Sequence, residues 1–366
     1  MKKVVFLVML TLVLAFPGTV RAIVNPMDSP NNRFGIHIID PVDLDDAATL
    51  VNSSGGEWGY VTLVIRENQR DRAYWQEVFD RMEFRKLIPI VRIATVQQDG
   101  GWKKPDLDDI AVWVQFLDGL FWPTKNRYIV IGNEPNHAGE WGGEVNPAEY
   151  VDYLVEFSKQ LRAASDEFFV LPAGLDASAP NGIGHMRIET FLWEMTKTEP
   201  EWFEYIDGWS SHSYPNPGFE GSADDSGKTS IRGYLWELEY LSSNYGLDTS
   251  KMPVFITETG WKIDGGNLAS KYKTAFLEAW DDPRVIAVTP FILSYPEGIF
   301  ENFSWKDGNG EYREFYWEMA GLPKLAGRPV MNGNYSVNPS LAVSSLACVQ
   351  NEPRNGRIAL RLSKRP

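Results

Sequence analysis

Apolar positions along this chain fall into two alternating rhythms. Short runs rich in β-branched and aromatic residues recur at Phe34–Ile39, Tyr60–Ile65, Ile88–Ile93, Tyr128–Ile131, Phe168–Leu171, Ile206–Ser210, Pro253–Thr257 and Val285–Leu293. Each is followed by a stretch with helical spacing. Runs such as Tyr128-Ile129-Val130-Ile131 are apolar at every position, as strands buried on both faces of a parallel sheet require. Their mean spacing, about 36 residues, is that of one strand-helix unit.

The segments between the runs show helix faces and helix starts. Ile110, Trp113, Val114, Leu117 and Phe121 share one face behind Asp106, Asp108 and Asp109, whose charges suit a helix N-terminus. Asn146-Pro147-Ala148-Glu149 offers a cap, Pro at the first helical position and an acid at the third, opening a helix with Val151, Leu154, Val155 and Leu161 inward. Tyr272, Ala275, Phe276, Ala279 and Trp280 repeat the pattern. Eight such units predict an α/β protein, a (β/α)8 TIM barrel, over residues 23–323. An open doubly wound sheet is the alternative, but the Gly-rich first turn that usually marks it, G-x-G-x-x-G, is missing, as is a P-loop.

Charge and composition narrow the function. The chain has 366 residues, 43% hydrophobic, and a net charge of -14. Its single Cys348 leaves no disulfide to form. Residues 1–22 carry Lys2, Lys3 and Arg21 with no acid, and residues 324–366 carry seven basic residues with only Glu352. The body, 23–323, therefore holds 25 basic against 48 acidic side chains. Such a surface repels phosphate backbones and anionic headgroups, which disfavours nucleic acid and membranes as partners and suits a neutral or basic substrate.

Both ends read differently from the body. Lys2 and Lys3, the apolar run Val4–Phe16 and Val20-Arg21-Ala22 form a secretory signal over 1–22, so the mature protein is expected to be secreted or periplasmic, without stable membrane insertion. The alternative, an uncleaved anchor, has an apolar run short for a membrane span. Residues 324–366 read as a basic, loosely ordered tail.

In a barrel of this kind the site forms where strands end at the C-terminal face. Strand four ends in Ile131-Gly132-Asn133-Glu134-Pro135-Asn136, strand seven in Ile256-Thr257-Glu258-Thr259-Gly260-Trp261. An acid directly after a buried apolar run is costly without a partner or a purpose. Two carboxylates facing each other across a pocket are what cleavage of a glycosidic bond needs.

These paired motifs resemble those of the clan of retaining (β/α)8 glycoside hydrolases that contains families 5, 39, 30, 51 and 53, over about residues 30–323. The resemblance implies Glu134 as acid/base, Glu258 as nucleophile, and Asn133 as a hydrogen-bond partner of the sugar 2-hydroxyl. His212-Ser213-Tyr214 matches the clan's His-x-Tyr, whose tyrosine contacts the nucleophile. The clan also has an arginine near the nucleophile. Arg66 and Arg92 both sit near strand ends, strand order slightly favours Arg66, and either could instead be a structural ion-pair partner. Strand eight departs from the clan, which has a tryptophan there: Thr289-Pro290-Phe291-Ile292-Leu293-Ser294-Tyr295 leaves Tyr295 or Trp305 to replace it.

Trp102, Trp141 and Trp261 follow strands three, four and seven and, with Trp305, are candidates for stacking on pyranose faces. Trp113, Trp193, Trp236 and Trp280 lie in helical segments and read as packing residues. His37, at the end of strand one, is a candidate for a sugar-hydroxyl contact, whereas His137 and His185 read as surface or loop residues. Four histidines without H-x-H or H-E-x-x-H argue against metal-dependent hydrolysis. No G-x-S-x-G elbow supports a serine esterase. Asp307-Gly308-Asn309-Gly310-Glu311 lacks the spacing of a full calcium loop and reads as a turn. No cofactor is implied. The expectation is a hydrolase of β-linked polysaccharide or oligosaccharide, with a non-catalytic carbohydrate-binding barrel or a transglycosidase on the same scaffold as alternatives.

Overall fold

The structure, a computed structural model, describes residues 23–98, 100–263, 266–295 and 298–333; the expected signal, Cys348 and most of the basic tail lie outside the described residues. Eight parallel strands alternate with eight α-helices among these residues. The strands are β1 (Gly35–Ile38), β2 (Gly59–Arg66), β3 (Leu87–Ala94), β4 (Arg127–Ile131), β5 (Phe168–Pro172), β6 (Trp209–His212), β7 (Val254–Glu258) and β8 (Val285–Val288). The helices are α1 (Leu44–Asn52), α2 (Arg72–Phe84), α3 (Ile110–Asp118), α4 (Pro147–Ala164), α5 (Ile188–Thr198), α6 (Gly233–Tyr245), α7 (Leu268–Thr274) and α8 (Glu314–Gly321).

Strands β1 to β5 pair in sequence order, as do β6 to β8. Two seams join these arcs into a (β/α)8 barrel. At one, the Asp207 N–H donates to Val170 O at 2.8 Å and its carboxylate accepts the Val170 N–H at 2.8 Å. At the other, the Val288 N–H reaches Arg33 O at 2.9 Å and the His37 N–H reaches Pro290 O at 3.0 Å. Each apolar run of the sequence contributes a strand. The antiparallel ribbon of Gln97–Gln98 with Gly101–Trp102 was not foreseen, being too short and polar to show a period.

Several helical expectations need correction. Asn146 does cap α4, its side chain accepting the Glu149 N–H at 3.2 Å. Helix α3, however, stops at Asp118 before Gly119, so Phe121 lies outside it and is 53% exposed. Trp193 on α5 is also 53% exposed, while Trp113 and Trp280 are core and Trp236 is half-buried. Helix α7 continues as a π-turn, Ala275–Ala279, which keeps Phe276 and Trp280 inward.

The N-terminal face of the barrel is sealed. Residues 324–333, placed by sequence in a loose tail, are fastened there: the Gly327 N–H donates to Glu57 O, Arg328 N–H to Pro30 O and Lys125 N–H to Val330 O, at 2.8–2.9 Å. Buried Lys324 donates to the carbonyls of Met319, Ala320 and Leu322, closing the C-terminus of α8. The pattern failed here because backbone pairing, not a hydrophobic period, holds this segment.

Inward positions stack in layers, as they do in barrels of this type. The lowest is aromatic: Tyr60, Tyr128, Phe169 and Phe255 are at most 4% exposed, with ring centroids 5.1–6.4 Å apart. Above it runs a hydroxyl belt in which Thr62 meets Thr289 at 2.9 Å and Ser210 meets Thr257 at 2.7 Å. The top layer is charged.

Candidate active site

The top layer opens into a cavity of about 510 Å³ lined by His37, Arg66, Arg92, Trp102, Asn133, Glu134, Tyr214, Glu258 and Tyr295, among others. Glu134 reaches it through a left-handed turn after β4. Gly132 has φ +92° and Glu134 itself φ +33°, a conformation that costs a side-chain-bearing residue about 1–3 kcal/mol. Hydrogen bonds from the Glu134 N–H to Gly174 O at 3.1 Å and from the His137 N–H to Glu134 O at 2.9 Å hold it there. Fully buried Asn136 ties the same turn to the loop after β5 by donating to Asp176 O and Met186 O and accepting the Asp176 N–H.

Glu258 arrives by a register shift. β6 and β7 pair Ser210 with Phe255 and Ser211 with Ile256, but then His212 with Glu258, so β7 holds an extra residue at Thr257. Strand alternation would place Glu258 with outward-facing Val254 and Ile256; the bulge re-aims it into the cavity.

Around the two carboxylates the contacts differ. His212 Nδ1 lies 2.8 Å from Glu134 Oε1 and 3.9 Å from Glu258 Oε2. The Tyr214 hydroxyl donates to Glu258 Oε2 at 3.2 Å, and Arg92 Nη1 donates to Glu258 Oε1 at 3.3 Å. Arg92, on β3, is therefore the arginine at Glu258. Arg66 instead lies over the Trp102 ring, 5.6 Å from its centroid, because it stands one inward step further along β2 than Val64, the register partner of Arg92.

Burial alone would lower the His212 pKa, but Glu258 and Glu134 outweigh it and the ring stands above its ordinary value. His37 goes the other way: burial, then the charges of Arg92 and His212, hold it well below, and it sits neutral 3.8 Å from Glu258. Burial and the two carboxylates push the Tyr214 hydroxyl far up, so it stays a donor. A carboxylate oxygen from each glutamate and the His212 nitrogen lie within 4.8 Å of one another, close enough to chelate a cation. The His212 Nδ1 contact to Glu134 already engages two of these atoms, and the Arg92 guanidinium opposes a further positive charge. The trio fits a proton better than a metal.

Three of the four candidate stacking tryptophans point away from the cavity. Trp141 is 2% exposed and packs edge-on against Tyr150 and Tyr153. Trp261 and Trp305 are each 1% exposed, packed against Tyr272, and the Trp261 indole N–H donates to Gly221 O at 2.8 Å. Position after a strand does not fix direction, and these rings turn back over the helix layer. Trp102 and Tyr295 do line the cavity. Phe291, Phe219, Phe300 and Phe303, which the sequence left unremarked, join Tyr295 and Tyr214 in an aromatic wall of edge-to-face contacts.

Other residues escaped the sequence reading. Gly174 is one, because a Cβ there would stand 2.2 Å from His212 Cδ2. His137 and His185 are more than loose surface groups: their Nδ1 atoms lie 2.9 Å apart and His137 Nε2 lies 2.9 Å from Asp176 on the cavity wall. Glu140 also lines the cavity, accepting from Asn133 Nδ2 at 3.1 Å. The Asp307 loop is a turn, its carboxylate accepting the Asn309 and Glu311 N–H groups.

Among solved structures the fold is similar to a monomeric β-xylosidase from Caulobacter crescentus CB15 (TM-score 0.54, 13% identity, covering 80% of this chain and 68% of that one). It is also similar to a triple mutant of an endo-β-1,4-glucanase from Xanthomonas axonopodis pv. citri (0.52, 11%, 79% and 98%) and to a β-mannanase from Thermomonospora fusca (0.51, 16%, 80% and 90%). No family model and no curated protein matches the sequence. At these identities the likeness establishes the barrel fold alone.

Proposed function

We propose that the protein is a retaining glycoside hydrolase that cleaves β-linked glycans. The observation that carries this reading is the separation of the two carboxylates. One oxygen of Glu134 and one of Glu258 lie no more than 4.8 Å apart, an approach that favours the close pair of a retaining enzyme over the roughly 6.5–9.5 Å between carboxyl groups that makes room for an inverting water. Their surroundings assign the roles. Glu258, held by Arg92 and Tyr214, is oriented as the nucleophile. Glu134, in contact with His212 Nδ1, serves as the acid.

In the first step a Glu258 oxygen bonds the anomeric carbon as the glycosidic C–O bond breaks, and the proton on Glu134 passes to the departing oxygen. In the second, Glu134 takes a proton from water as its oxygen attacks the anomeric carbon, and the ester to Glu258 breaks. Asn133, next to Glu134 and on the cavity wall, faces the substituent beside the anomeric carbon. Trp102 and the aromatic wall supply flat apolar surfaces for neighbouring sugars. The Lys2–Lys3 pair and the apolar run Val4–Phe16 support action after export.

Activated 2-deoxy-2-fluoro glycosides followed by peptide mass mapping should label Glu258; a label elsewhere sinks the nucleophile assignment. Glu134→Gln should lose about 10²–10⁴-fold in kcat on ordinary glycans while the first step with a good leaving group survives.

A further inference from the structure

Glu140 also reaches the cavity, and the double displacement gives it no role. Glu140 enters from the short turn Ala138–Glu140, and its Oε2 accepts an N–H from Asn133. That bond turns the Asn133 amide so that its Oδ1 is left buried without a hydrogen-bond partner. His37, 0% exposed, likewise has no partner for either ring nitrogen. Buried polar atoms are rarely left so, and here they border one cavity. Its charge is one-sided. Asp40, Glu134, Glu140, Asp176 and Glu258 line it, against Arg66 and Arg92, of which Arg66 lies over Trp102 and Arg92 is bonded to Glu258.

We infer that the cavity takes a glycan whose reacting sugar carries an unsubstituted amino group, as ammonium, beside the anomeric carbon, seated against Glu140 next to Asn133. The inference rests on the reading of Glu134 and Glu258 as the reacting pair, which places Asn133 next to that carbon. An ammonium brings three donors, no acceptor and a positive charge, matching a carboxylate in a cavity whose two arginines are already engaged. A hydroxyl brings a single donor and no charge. An acetamido group would set its own carbonyl against these acceptors. The groups facing Glu140 are Arg92 from β3, Asn133 and Glu134 after β4, His137 in its own loop and Glu258 from β7. Burial first, with help from Glu134 and Glu258 and against Arg92 and Asn133, raises its carboxyl to about 7, and an ammonium seated beside it would hold it ionised at neutrality.

The test uses the full chain carrying Glu258→Gln, titrated at pH 7 by ligand-observed NMR with methyl β-glycosides bearing 2-amino, 2-acetamido or 2-hydroxy groups in gluco, galacto and manno configuration. In at least one configuration the amino glycoside should bind about tenfold or more tightly than its hydroxy counterpart, the strength of a charged hydrogen bond. Adding Glu140→Gln should collapse that ratio, and Glu140→Asp should restore part of it, a rescue that general damage to the fold does not give. Tighter binding of the hydroxy or acetamido form in every configuration, an unchanged ratio in Glu140→Gln, or no binding of any amino glycoside would overturn the inference. Labelling of Glu258 in the wild-type chain by 5-fluoro glycosyl fluorides, which keep the amino or hydroxyl group on C2, reports separately: a label without amino preference sinks the substrate class alone, and the absence of a label from both the amino and the hydroxy series sinks the reaction.

Discussion

The lower and upper ends of the barrel lumen are lined by inward positions of the same strands, yet one is filled with rings and the other with charge. Along β2 to β4 the alternation that buries Tyr60, Ile88 and Tyr128 near the bottom delivers Val64, Arg66 and Arg92 to the top. At the bottom the rings meet each other and their hydroxyls find partners, Tyr60 donating to Asn31 at 2.8 Å and Tyr128 accepting from Asn126 at 3.2 Å. At the top Asn133 Oδ1, Arg92 Nε and both His37 nitrogens have none. The ring layer follows the rule that buried polar atoms are paired, and the charged layer departs from it.

The largest effect that separates the two ends is a truncation at the bottom. Phe169→Ala removes a ring, 1% exposed, that touches Tyr128 and Phe255, and should cost about 3–5 kcal/mol in urea denaturation. The folded fraction should still label at Glu258 at the wild-type rate. A fall in labelling with stability intact would mean that the two ends are one functional unit.

A smaller effect should cross between them. Gly174 follows β5 with no side chain, so that the His212 ring can lie against its backbone. Gly174→Ala should cost about 1–3 kcal/mol as the crowded ring or strand end shifts, and it should slow turnover as well, because the His212 contact to Glu134 moves. Loss of stability with unchanged kcat would show that His212 does not position Glu134.

What the sequence made legible follows the same division. The strands could be read because a segment buried on both faces must be apolar throughout. Glu134 and Glu258 stood out because an acid ending such a segment needs a reason. Arg92 could not be chosen over Arg66, since the choice depends on how far each stands along its strand relative to β7. Trp141, Trp261 and Trp305 were misplaced because a loop can turn a ring outward as readily as inward. Glu140, Gly174 and the phenylalanine wall left no local signal. They matter through neighbours more than 30 residues away or through loop geometry, and only the closed barrel supplies those.

The finest test of the comparison is the pH dependence of stability, because two buried histidines of the top layer should pull it in opposite directions. His37 has a folded pKa well below its unfolded value of about 6.5. As pH drops through about 6.5 the unfolded chain binds a proton that the folded one refuses, so His37 removes stability, by up to about 1.4 kcal/mol per pH unit, until its folded value is reached. His212 has a raised folded pKa. Its contribution is fully present below about 6.5 and is lost as pH rises through the folded value. Urea denaturation at pH 5.5, 6.5 and 7.5 should therefore show His37→Asn gaining on wild type as pH falls and His212→Asn gaining on it as pH rises. Parallel curves for both variants would mean that neither ring's charge is set by the Arg92, Glu134 and Glu258 array, and the top of the lumen would then be as electrostatically inert as the bottom.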